Sequence, residues 1–183
     1  MNSLVQIDPV STKARFTAAE FLEMCELGAF ADMKVELVNG ELERMTPPMN
    51  PHSEQQTNLT VLLAALVSVK RVRVEIGIVL DDDTVLACDI AVLRIPISGS
   101  RMLAPIDVAL VIEVAETTVS RDLGMKRAKY VAAGIGEYWV VDGARSIVHV
   151  FAKPVEGEYA ANRIVRFGEP LAVPGSDRTI IID

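Results

Sequence analysis

The chain has 183 residues, half of them hydrophobic, and a formal net charge of −7; this fits a single domain with a core large enough to stand without disulfides or a structural metal. Two cysteines, Cys25 and Cys88, no cationic leader and no apolar run near the ~20 residues of a bilayer crossing argue against a disulfide scaffold and a membrane span, so a soluble, cytoplasmic protein is expected. The acidic balance counts against nucleic-acid binding through the overall field, although Lys70, Arg71 and Arg73, and again Arg121, Lys126, Arg127 and Lys129, cluster enough to predict a local basic face.

Residues 1–14 read as a loose arm. Thr17 with Glu20 has capping-box spacing and opens a helix to about Leu27, stopped by Gly28. Asn39-Gly40 between 34–38 and 41–45 predicts a β-hairpin with a two-residue turn. Asn50 as N-cap and Pro51 start a helix to about Lys70, whose stripe Leu59, Leu62, Leu63, Leu66 and Val67 should pack on a sheet. Alternation over 73–80 predicts a strand, which the acidic turn 81–83 hands to further strands, one of them opening at Asp89. The run 108–114 is apolar on both faces, as a central strand should be. A helix over 121–133 ends at Gly134, strands follow at 137–141 and 147–151, and a short strand closes the chain at 179–182.

Glu113 is the anomaly in this pattern, a carboxylate inside a strand that otherwise has every mark of burial. Such a group either shifts its pKa upward or needs a cation, a metal ion or a neighbouring Lys or Arg. Asp89 begins another apolar strand, and Glu36 lies within the first hairpin strand; if all three face one cleft, their oxygens suit Mg²⁺ or Mn²⁺. Asp122 and Lys126 are one helical turn apart, compatible with an ordinary surface pair or with a lysine that orients or deprotonates an attacking water or stabilises the pentavalent phosphate. His52 stands where it can touch a phosphate or act as an acid, and equally where it can cap a helix. No glycine-rich phosphate loop, zinc spacing or serine elbow is present.

In this order and spacing, segments 35–41, Pro47-Pro48 with His52, 88–92, 111–114, Asp122 to Lys126 with Tyr130, and 136–142 resemble the Uma-two family of restriction endonucleases, within the PD-(D/E)XK nuclease superfamily. The resemblance covers nearly the whole chain. It implies an α/β (α+β) restriction-endonuclease-like core, a mixed β-sheet flanked by helices, in which Asp89 and Glu113 bind Mg²⁺, or Mn²⁺ in its place, supported by Glu36 and Lys126. The superfamily's usual lysine lies two residues after the second acid; here that residue is Ala115, and the role passes to Lys126. Cys88 replaces the proline that normally precedes the first acid, and Glu116 with Thr117 and Thr118 replaces a Ser-Pro-Ser-like turn, adding negative charge near the site.

The implied activity is metal-dependent hydrolysis of DNA by an activated water, with His52 on the substrate side. The alternatives are a nuclease-fold binding or assembly module without turnover and a hydrolase of small phosphorylated compounds. A homodimer is expected from the mean hydropathy of +0.31 and the need of many endonucleases to address two strands.

Overall fold

In the computed structural model, residues 13–183 are described, so the expected arm lies, as far as residue 12, outside the described residues. Thr17 and Glu20 form the capping box of α1 (Ala18–Glu26). Asn39 and Gly40, at φ 50° and 78°, turn β1 (Val35–Val38) into β2 (Glu41–Arg44). α2 (Asn50–Val67) begins at Asn50, with Met49 rather than Asn50 at the cap and Pro51 in the first turn. It buries Leu59, Leu63 and Val67, while Leu62 stays 36% exposed because the helix meets the sheet along a narrow i, i+4 ridge.

β3 (Val72–Asp81) and β4 (Thr84–Leu93) form a long hairpin turning at Asp82-Asp83. β4 is unbroken, so Asp89 sits within a strand instead of opening one. β5 (Val108–Ala115) runs antiparallel to β4 and parallel to β6 (Glu137–Asp142). The helix expected over 121–133 is split into α3 (Val119–Arg121), a π-helical turn (Asp122–Lys126) and α4 (Arg127–Ala132), with Gly134 at φ 78° ending it. β7 (Ile147–Val155) and β8 (Glu158–Arg166) complete the sheet, and β9 (Pro170–Ala172) pairs with β10 (Thr179–Ile181). β8 and β9 have no counterpart among the expectations from sequence.

The sheet is mixed and mostly antiparallel, ordered β2-β1-β4-β5-β6-β7-β8, with β3 paired to the other edge of β4. One face packs Tyr130 and Val131 of α4 with Tyr138, Phe151 and Tyr159 of the sheet; the other packs Leu59, Leu63 and Val67 of α2 against Ile90, Ile112 and Trp139. A smaller cluster joins Phe21 of α1 to Leu37 and Val85. Among the described residues no helix is long and apolar enough to cross a membrane.

One irregularity positions everything that follows. On its second edge β4 pairs with β5 through Ile90 to Leu93 and with β1 at Val85 alone. Between those contacts, over residues 86–89, that edge has no strand partner among the described residues, and the sheet forks.

Candidate active site

Backbone groups at a fork must find other partners, and here charged side chains supply them. The Ala87 N–H donates to Glu36 Oε1 (2.9 Å), and the Ala87 carbonyl accepts from Lys126 Nζ (3.1 Å). Across the fork, the Val114 N–H donates to Asp89 Oδ2 (2.7 Å). Continuing the β4–β5 register one step beyond Ile90 and Ile112 places Asp89 opposite Glu113. Glu113 Oε1 accepts from Lys126 Nζ (2.9 Å) and from the Tyr130 hydroxyl (2.8 Å). Both hydrogen bonds thus fall on one oxygen of Glu113.

The π-turn carries Asp122 and Lys126 inward, and both are 3% exposed, so this is no surface pair. Lys126 is bracketed by Glu113 (2.9 Å) and Glu36 (3.4 Å). Burial by itself would lower its pKa, but the two carboxylates outweigh that and raise it above the ordinary lysine value. The paired carboxylates thus favour the charged ammonium, which suits an orienting or phosphate-stabilising role. Burial pushes the Glu113 carboxyl well above its usual range, with Lys126 opposing and the Asp89 and Asp122 charges reinforcing the rise. Asp122 is likewise raised by burial, against the hydrogen bond it accepts from Thr118 (2.6 Å).

On the α2 side of the fork, His52, Glu75 and Asp89 each bring one donor atom within 4.8 Å of the others. Glu75 is a residue that sequence reasoning missed. It falls on the polar phase of β3, indistinguishable there from a solvent-facing residue, but its left-handed φ of 51° turns it toward Asp89. Gln56 bridges the two, donating to Glu75 Oε1 (3.0 Å) and to the Asp89 carbonyl (2.9 Å), and Lys34 pairs with Glu75 Oε2. His52 Nε2 is buried without a hydrogen-bond partner; Asp89 Oδ1 lies 3.4 Å away in poor hydrogen-bonding geometry. The Asp89 carboxylate nevertheless raises the imidazole pKa above its ordinary value. An orphaned imidazole nitrogen aimed at two carboxylates fits a divalent cation, and a mixed nitrogen and oxygen donor set suits Mn²⁺ better than Mg²⁺.

Asp89, Glu113, Lys126, His52 and Glu75 all line one cavity of about 540 Å³, as do Glu116 and Thr117. Glu36 does not line it. The expected convergence of three carboxylates is therefore not what the fold builds: both oxygens of Glu36 are taken, Oε1 by Ala87 and Lys126 and Oε2 by Arg121 (2.7 Å). Much of the expected basic clusters is engaged internally, though Lys70 stays exposed and Arg127 lies over the Phe151 ring. Arg121 pairs with Glu36 and Glu43, Lys129 with Asp81, and Arg71 and Arg73 donate to the carbonyls of Leu93 and Ile97.

A mixed sheet that forks beside paired acids and a buried lysine defines a nuclease-like fold. Residues 18–177 match the model of the Uma2 family, described as "Putative restriction endonuclease", and the chain belongs to that family. A crystal structure described as "a putative nuclease belonging to DUF820", from Anabaena variabilis ATCC 29413, superposes with a TM-score of 0.61 at 22% identity, covering 87% of this chain and 88% of that one. No curated protein matches the chain.

Proposed function

We propose that this protein hydrolyses phosphodiester bonds in DNA with the help of a divalent cation. The observation that carries the reading is the lining of one cavity by Asp89, Glu113 and Lys126 where β4 and β5 part. Asp89, Glu75 and His52 would hold the ion, and Glu113, outside that group, lines the same cavity. Bound there, Mn²⁺ or Mg²⁺ would supply Lewis acidity, easing deprotonation of water and neutralising phosphate charge. Lys126 fixes Glu113 and leaves a permanent positive charge beside the phosphate. Tyr130 fixes the same oxygen from α4, and Glu36 acts behind the site as a positioning residue, holding Lys126 and Arg121. His52, whose orphaned Nε2 is assigned to the ion, would ligate only as the neutral imidazole, a form that the Asp89 carboxylate disfavours by raising its pKa.

Incubation of the purified chain with supercoiled and linear DNA and Mn²⁺ or Mg²⁺ tests this reading. Metal-dependent nicking that Asp89→Ala abolishes is expected; cleavage that survives chelator or that substitution would overturn it. A second reading, a nuclease-fold binding module without turnover, is favoured by the near-complete burial of Glu113 (3% exposed) and its fixed bonds to Lys126 and Tyr130. Calorimetric titration with Mn²⁺ separates the two, because a chain that takes up no ion at millimolar concentration supports the module.

A further inference from the structure

The cavity is larger than a phosphate and an ion require, and its remaining wall differs in character. Besides the charged cluster it is lined by Phe21, Phe30, Met33, Met45, Val85 and Met102. Phe21 and Phe30 stack with ring centroids 5.6 Å apart. Gly77 leaves room for Met102 over β3: a Cβ there would lie 2.6 Å from Met102 Sδ, and the methionine side chain would have to shift. An aromatic and methionine wall is soft, polarisable and suited to flat π-systems of varied shape.

We propose that this apolar half receives an unpaired nucleobase next to the scissile phosphate, so that the substrate is single-stranded DNA or duplex DNA with a displaced base. The inference rests on the nuclease reading and narrows it. A base stacked inside an intact duplex cannot turn into a side cavity while its phosphate sits at the fork, whereas an unpaired base does so at small unstacking cost. Electrostatics point the same way. Tracking a duplex backbone takes a row of free cations, but Arg121, Lys129, Arg71 and Arg73 are committed to carboxylates or carbonyls, and the net charge is −7. Affinity then has to come from the bound ion and from base contact with the apolar wall, the mode of sequence-tolerant single-strand binders.

The experiment uses the full chain with Mn²⁺ and three labelled oligonucleotides: a single strand, its perfect duplex, and that duplex carrying an unpaired bulge. Cleavage of the single strand and of the bulge is expected to be at least ~10-fold faster than cleavage of the duplex. Ala31→Trp fills the chamber from an exposed turn position and is expected to slow single-strand cleavage by at least ~10-fold while Mn²⁺ uptake, followed by paramagnetic resonance, is retained. In the unsubstituted chain Cys25, which lines the same half, gives a readout independent of any variant's folding: with Ca²⁺ replacing Mn²⁺ to hold turnover, the single strand should slow its alkylation. Duplex cut as fast as single strand, or Cys25 alkylation unchanged by the oligonucleotide, overturns the base pocket and leaves the nuclease reading standing. Failure to cut any of the three with Mn²⁺ bound sinks the nuclease reading, and the pocket with it.

Discussion

Lys126 neutralises two buried carboxylates at once, so its replacement by methionine leaves Glu36 with Arg121 and Glu113 with nothing but a tyrosine hydroxyl. Breaking a buried pair this way costs roughly 3–5 kcal/mol, and the cost should depend on pH. The folded-state pKa of Glu113 is already raised above its ordinary value of 4.5, so the stability this group contributes is complete below that value and is lost as pH rises through the folded pKa. Lys126→Met should therefore unfold in urea much as the parent does near pH 5 and fall progressively behind toward pH 8. Glu113→Gln is the complementary test: it keeps an oxygen for Lys126 and Tyr130 and removes a charge that burial disfavours, so stability should hold within ~1 kcal/mol while DNA cleavage drops by at least ~100-fold. His52 adds a separate signature. Its pKa is raised by Asp89, and a protonated imidazole has no lone pair for a metal, so Mn²⁺ affinity measured by calorimetry should climb with pH through that raised pKa and level off above it. His52→Ala should flatten the curve as well as lower it.

Among the elements, the first hairpin and the fork divide what the sequence discloses from what it withholds. Asn39-Gly40 is legible because a two-residue turn of this kind demands positive φ at both positions, a local requirement that few residue pairs meet. Gly40 is also closely covered, since a Cβ would stand 3.0 Å from Arg15 Cβ and 3.2 Å from the Phe16 carbonyl. Gly40→Ala should consequently lower stability by about 1–2 kcal/mol in a denaturant titration, and cleavage should fall with it because β1 carries Glu36. Glu113 is legible for a comparable reason, since a carboxylate inside an apolar run is conspicuous whatever surrounds it. The fork is not. It depends on where β5 leaves β4 and where β1 arrives, both long-range pairings, and the Asp89 side chain replaces a ladder bond whose loss no local pattern records. Glu75 is hidden by the same logic, because its reversed φ is imposed by the tertiary context. β8 escapes notice because Tyr159 and Val165 are its only buried positions, too few to establish a period of two.

At the scale of the whole molecule, the nuclease reading asks how an acidic protein would handle a polyanion. Two cations that look in sequence like part of a nucleic-acid face are instead counterions that let carboxylates be buried around the fork: Arg121 for Glu36, and Lys126 for Glu36 and Glu113. Few of the clustered cations remain to displace counterions from DNA, and counterion release sets the salt dependence of binding, with a slope of about −0.7 per neutralised phosphate on a single strand. Under the nuclease reading, the logarithm of single-strand affinity plotted against the logarithm of salt concentration should fall with a slope no steeper than about −2, where a protein making six or more phosphate contacts to duplex gives about −5 or beyond. Fluorescence anisotropy at several salt concentrations, with the divalent ion held constant, provides the measurement. A steep slope would mean that cations bound here to carboxylates are released to the substrate on binding, so that Glu36 and Glu43 surrender Arg121 to a phosphate; the shallow one leaves the buried pairs intact and assigns recognition to the ion and the apolar wall.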